Sequence, residues 1–189
     1  MPDVVDLIMN DHREVERLFE ELKTHPEKRA GLVPVLTTLL TAHSRAEEAE
    51  VYPVAASEGG NPDDVAHSQE EHIVADQLLA KLAATDPEAP SFGEVLQELV
   101  DAITHHVEEE ETTVLPNMRE SLSSERLDEL GQAFLSSRKE HLGEQPVDIR
   151  KSELQQQARN ADISLDSGAS KAQIAKTLRR EAEKAQQET

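Results

Sequence analysis

The 189-residue chain has no cysteine. That absence removes disulfide scaffolds, thiolate zinc sites, iron–sulfur clusters and cysteine nucleophiles together. Aromatic residues are scarce: only Phe19, Tyr52, Phe92 and Phe134 occur. A core drawn mainly from Leu, Val, Ile and Ala suits helices better than sheets, and no alternating β-branched segment is present. Basic charge is in short supply, with Lys+Arg 19 against Asp+Glu 39 and a net charge of −20. Such a surface repels nucleic acid and anionic membranes, so neither is expected as the partner of the whole chain. There is no run of about 18 apolar residues, the length a bilayer-spanning helix needs. The opening Met-Pro-Asp-Val-Val-Asp is acidic where a secretory signal would be basic. These features predict a soluble, cytoplasmic protein of one ordinary domain plus a small appendage. Its chemistry must use His, Asp, Glu or Tyr.

Proline and glycine occur as punctuation. Breaks are expected at Thr24-His25-Pro26, Glu58 to Pro62, Asp86 to Pro90, Pro116 to Ser123 and Gly143 to Pro146. Asn61 before Pro62 marks one helix start, and Ser91 with Glu94 three residues later reads as a capping box at another. The first four segments carry apolar stripes with three- and four-residue steps. They read Val5, Ile8, His12, Val15, Phe19, Leu22; then Leu36, Leu40, His43, Glu47, Val51, Val54; then Val65, His72, Ala75, Leu79, Leu82; then Phe92, Leu96, Leu99, Ile103, His106, Glu110, Val114. Short connections between such helices predict an all-α, up-down-up-down four-helix bundle.

Every stripe is interrupted by histidine. Counting residues from each turn at ~1.5 Å apiece puts His12, His43, His72 and His106 within about a helical turn of one another, near mid-bundle. His43–Glu47 and His106–Glu110 are i,i+4 pairs, so each pair points inward along one face. The result is a buried cluster of four histidines and two carboxylates. An internal repeat supports it: residues 43–53 align without gaps on 106–116, five of the eleven being identical. A pseudo-twofold axis and two equivalent metal positions follow from that symmetry. Buried carboxylates and imidazoles need a partner, and a metal pair satisfies them. Without sulfur the choice lies among iron, zinc, manganese and copper. Carboxylates able to bridge, with imidazoles outside them, suit a non-haem di-iron centre best, ahead of zinc or manganese.

The chain resembles the hemerythrin-like HHE cation-binding domain family over roughly residues 3–120. The matching pieces are Asp11-His12-Arg13, His43-x3-Glu47-Glu48 with Tyr52-Pro53, Glu71-His72, and His106-x3-Glu110-Glu111 with Leu115-Pro116. The resemblance implies two iron ions with an oxo or hydroxo bridge, held by His12, His43, His72 and His106 and bridged by Glu47 and Glu110. A fifth helix at about 123–142 completes a bundle domain of residues 1–145. Hemerythrins proper carry a further histidine one turn before the third-helix ligand, and here that position is Ser68. The set therefore leaves two open coordination positions where a five-histidine site leaves one. Reaction with, or sensing of, dioxygen, peroxide or nitric oxide is expected ahead of oxygen transport. A metal-dependent regulatory module is the alternative, and whether the centre turns over as an enzyme is open at this stage.

Two residues are candidates for an extra ligand or a hydrogen-bond partner of one. His67 is five residues from His72 and about 140° round an ideal helix, which otherwise makes it a surface residue. Tyr52 is similarly turned from Glu47, which reads as a packed ring with a wet hydroxyl; Pro53 after it, however, distorts the local helix. His25, His105 and His141 read as solvated.

After Pro146 the composition changes. Residues 1–146 hold 11 Lys/Arg and 32 Asp/Glu, a net of −21, whereas residues 147–189 hold 8 and 7, a net of +1. Residues 146–189 read as a helix–loop–helix appendage, Lys151–Asn160 and Ser170–Ala185, weakly similar to Rho N-terminal-like and SAP-like modules. Its strip of Lys171, Lys176, Arg179, Arg180 and Lys184 suggests a weak nucleic-acid contact at most, since no stacking aromatic accompanies it.

Overall fold

Local sequence explains where each helix begins and ends in the computed structural model, which describes residues 2–188. The terminal residues 1 and 189 of the expected division lie outside the described residues. Asp3 caps α1 (Val4–Thr24) by accepting the Asp6 N–H at 2.9 Å. The helix stops at His25-Pro26, and a short 3-10 turn leads into α2 (Arg29–Ala46). Asn61 accepts the Asp63 N–H and starts α4 (Pro62–Ala83), as its sequence signal indicates.

The continuation of α2 is not α-helical. Glu47–Val51 widens into a π-helical turn, one α turn (α3, Tyr52–Val54) follows, and Ala55–Gly59 is π-helical again. Pro53 lacks an N–H and its ring crowds the carbonyl four residues back, so the backbone bulges. The Tyr52 N–H bonds the Glu47 carbonyl, five residues earlier. At the matching place in the internal repeat, α5 (Phe92–Thr112) breaks at Thr113 and resumes as α6 (Val114–Ser121). This break is additional to the one expected over Pro116 to Ser123, which falls at Leu122-Ser123, between α6 and the next helix, while Pro116 itself lies inside α6.

Ser91 does not form the expected capping box. Its backbone is already helical (φ −77, ψ −10) and its side chain makes no cap bond. A cap side chain reaches the first-turn N–H groups from extended backbone, and the preceding turn denies Ser91 that geometry.

Helices α1, α2, α4 and α5 form a closed four-helix bundle in which α1–α2, α2–α4, α4–α5 and α5–α1 touch. The fifth helix, α7 (Ser124–Glu140), lies against α1 and α2. Gly131 permits the close approach, because a Cβ there would sit 3.2 Å from the Val4 nitrogen. Two apolar layers fill the bundle. One contains Val15, Leu40, Ala75 and Ile103; the other contains Ile8, Ala46, Val65 and Val114. Each of the four histidines falls in sequence where its helix passes from one layer to the other.

The C-terminal helices α8 (Lys151–Asn160) and α9 (Lys171–Glu188) pack on α4 and on each other. Ile73 of α4 joins Leu154, Ala158, Ile174, Leu178 and Ala182 in a third apolar cluster. His141 is buried at 7% exposure with Nδ1 2.9 Å from Glu144, so the solvated reading is wrong for it. The turn after α7 folds back over its ring. Among the described residues, no helix is long and apolar enough to cross a membrane.

Candidate metal centre

The polar layer between the two apolar ones contains His12, His43, Glu47, His72, His106 and Glu110, none more than 3% exposed. The Nε2 atoms face the two carboxylates. Glu47 Oε2 lies 3.1 Å from His43 and 3.4 Å from His72. Glu110 Oε2 lies 3.4 Å from His12 and 4.0 Å from His106. The imidazoles form two close pairs, His12 with His43 and His72 with His106, at ring separations of 5.1 and 4.6 Å. Glu47 belongs to two potential ligand triads, one with His12 and His43 and one with His72 and His106. The fold thus brings together the four histidines counted to one height and the two glutamates placed beside them by i,i+4 spacing.

Their far sides are supported by carboxylates that sequence reasoning left without a role. His12 Nδ1 is 2.9 Å from Glu111, His43 Nδ1 3.3 Å from Asp11, His72 Nδ1 3.4 Å from Glu48, and His106 Nδ1 2.9 Å from Glu71. Each of these acids is the chain neighbour of an inward residue on an adjoining helix. Asp11 on α1 serves α2, Glu48 after α2 serves α4, Glu71 on α4 serves α5, and Glu111 on α5 serves α1. The contacts close into a ring. Behind His12, His43 and His106 the carboxylate can hold the ring N–H on Nδ1 and leave Nε2 to ligate, whereas His72 Nδ1 faces Glu48 without a hydrogen bond.

Glu48 is also a hub. It accepts from Arg45 at 3.1 Å, Gln69 at 3.0 Å and Gln157 of α8 at 3.0 Å. Asn160 donates to the Glu48 backbone carbonyl and to Gln69 Oε1. The appendage thus touches a residue that touches His72.

Electrostatics follow from these contacts. Burial disfavours a charged His43, but Glu47 and Asp11 overcome it and hold its pKa up, at about 10. Burial likewise opposes ionisation of Glu48 and Glu110, yet Arg45 and His72 pull the first down to about 2, and His12 and His106 the second. Tyr52 is pushed well above its ordinary value by burial and by the negative charge of Glu110 and Glu47.

A metal fits this donor set. Both oxygens of Glu47, both of Glu110 and Nε2 of His12 are buried without a hydrogen-bond partner. Carboxylate oxygens without a hydrogen bond at this depth are costly, and a cation is the partner that six converging N and O donors suit.

The two additional candidates separate. Tyr52 is fully buried, and its hydroxyl lies 3.0 Å from His72 Nε2, so the wet-hydroxyl expectation is overturned. The π turn supplies the rotation that an ideal helix lacks. His67 is not brought to the buried cluster. It lies on the outer face, 3.1 Å from Glu109, as its angular offset from His72 implies. Ser68, where hemerythrins proper have histidine, is buried. His105 is exposed, as expected.

Residues 3–118 match the family described as the hemerythrin HHE cation binding domain. A DNA nickase of Nostoc sp. (strain PCC 7120) is 33% identical over 134 residues, covering 70% of this chain and 38% of that protein, so the present chain spans well under half its length. Among solved structures, a hemerythrin HHE cation binding domain-containing protein of Mycobacterium kansasii aligns with a TM-score of 0.66 at 20% identity, over 94% of this chain and 99% of that one. At that identity the likeness concerns the fold.

Proposed function

The chain belongs to the hemerythrin HHE cation-binding family, and from that membership we propose that its buried cluster is a non-haem di-iron centre that reacts with or senses dioxygen, peroxide or nitric oxide. One observation carries the reading: two imidazole pairs face two carboxylates whose four oxygens have no hydrogen-bond partner. In this reading His12, His43, His72 and His106, with Glu47 and Glu110, would hold the iron. Bound iron would supply redox chemistry toward small oxygen or nitrogen species. The protein's part is geometry and exclusion. Asp11, Glu48, Glu71 and Glu111 aim the imidazoles, while Val15, Leu40, Ile103 and Val107 wall the small cavity the four rings share. The Tyr52 hydroxyl keeps its proton in these surroundings and offers it beside His72 Nε2. A small molecule suits so enclosed a space; a polynucleotide does not, and the net charge of −20 opposes one.

The test is iron content after anaerobic loading of the full chain, with an absorption spectrum and a peroxide assay. Two iron ions per chain are expected, and a ceiling of one would sink the reading.

The contact between α8 and Glu48 favours a second reading, a metal-dependent regulatory module. Metal occupancy would then change how the appendage docks, with its exposed basic strip as the contact to a partner such as nucleic acid. Many turnovers of peroxide by the loaded protein favour the first reading. A change confined to stability and association, including salt-sensitive nucleic-acid binding by the full chain, favours the second.

A further inference from the structure

Outside the buried layer, α4 and α5 bring together a second set of ligand types. His67 and Glu71 are an i,i+4 pair on α4, and His105 and Glu109 are an i,i+4 pair on α5. One donor atom from each of the four lies within 4.8 Å of every other. We propose that His67, Glu71, His105 and Glu109 form a separate site for a divalent transition ion of the zinc type, on the outer face of the bundle.

The distances suit four-coordination. His67 Nε2 is 3.1 Å from Glu109 and 3.8 Å from Glu71, while His105 Nε2 is 3.3 Å from Glu109 and 3.6 Å from Glu71. An ion bonded tetrahedrally at ~2.0–2.2 Å separates its donors by about 3.3–3.6 Å; Glu71 Oε1 meets both imidazoles near that spacing, while the two imidazoles approach different oxygens of Glu109, of which an ion would take one. Two neutral imidazoles and two carboxylates carry the charge that one divalent ion cancels. Among the described residues, neither Glu71 nor Glu109 pairs with a lysine or arginine; their ion-pair partners are histidines. Accessibility is graded, with Glu71 5% exposed at the base and His67, Glu109 and His105 at 31, 37 and 58% above it. That gives an ion an entry path from solvent.

Glu71 belongs to both sites. Its Oε2 is 2.9 Å from His106 Nδ1, and its Oε1 faces His67 and His105. An ion on the outer face therefore draws on the carboxylate that orients an inner imidazole.

The experiment compares the full wild-type chain with a His67→Ala/His105→Ala double variant, each loaded with iron and dialysed, then titrated with zinc by calorimetry. The wild type is expected to take one further zinc ion, and the double variant to bind it at least ~100-fold more weakly with its iron content unchanged. Cobalt(II) in place of zinc should give the intense visible absorption of tetrahedral coordination in the wild type only. Should the double variant fold poorly, Glu109→Gln serves as the second variant and should weaken the same event. Equal zinc affinity in wild type and variants overturns the proposal. The comparison stands whatever the inner cluster holds, so its failure is distinguishable from failure of the di-iron reading.

Discussion

Asp11 Oδ2 stands 3.3 Å from Nδ1 of His43, a residue 32 positions further on, while Arg138 of α7 bonds the other oxygen of the same carboxylate. Asp11 is thus a positioning residue for an imidazole on a different helix. Asp11→Asn keeps the shape and removes the charge. Metal affinity should fall about 10–100-fold, as for other losses of support behind a ligating histidine. Competition against a chelator measures it; unchanged affinity would show that the contact is incidental.

Tyr52→Phe removes the hydroxyl beside His72 Nε2 and leaves the ring in its apolar layer. The iron-loaded variant should keep two ions per chain, yet differ from wild type in its visible spectrum and in peroxide reactivity. Identical spectra and rates would reduce Tyr52 to packing.

Asn160→Ala deletes bonds of 2.9 Å to the Glu48 carbonyl and 2.8 Å to Gln69. Both acceptors are buried, so the expected loss is about 1–3 kcal/mol, read from urea unfolding. A midpoint equal to wild type would mean that water replaces the asparagine without loss.

The metal-free chain should be least stable at both ends of the pH range. His43 is held up at about 10 against an ordinary 6.5, because Glu47 and Asp11 outweigh burial, so its contribution is complete below 6.5 and is lost as pH climbs towards 10. Glu48 and Glu110, held down near 2 against an ordinary 4.5, contribute above 4.5 and lose that contribution as pH falls towards 2. Thermal melts of chelator-treated protein should therefore peak between these windows. In the proposed centre a metal would take the place of the His43 proton, so loading should release acid and weaken as pH falls. A flat melting profile would contradict the coupling of these groups.

How much of this was legible depended on periodicity. His12, His43, His72 and His106 stood out because each interrupts an apolar stripe, and stripe plus rise per residue fixes both face and height. Tyr52 is legible in part: Pro53 marks the helix there as distorted and makes the hydroxyl a candidate partner of the cluster, but the rotation that buries it comes from a π turn over Glu47–Val51 that the sequence pattern does not specify. Asp11, Glu48, Glu71 and Glu111 were visible as neighbours of ligand-type residues, but a residue about 100° from the inward direction reads as solvent-facing until the neighbouring helix is in place. Gln157 and Asn160 follow no period that singles them out, and their bonds to Glu48 cross more than a hundred residues. Ser91 and His141 were set by turns whose backbone no local motif specified.

The ring of carboxylates also has a sense of rotation. On α1 and α4 the supporting acid precedes the inward residue, as in Asp11-His12 and Glu71-His72; in the segments running the other way it follows, as in Glu47-Glu48 and Glu110-Glu111. One step back on an ascending helix and one step forward on a descending helix turn the side chain the same way when viewed down the bundle axis. All four acids therefore point to the neighbour on the same side. A bundle wound with the opposite hand would aim every one of them at the wrong helix, and a one-turn slip of α1 would break contacts with α2 and α5 at once. Four charged residues, each beside a ligand-type residue, thus encode the chirality and the alignment of the whole domain, information that the apolar stripes alone do not contain.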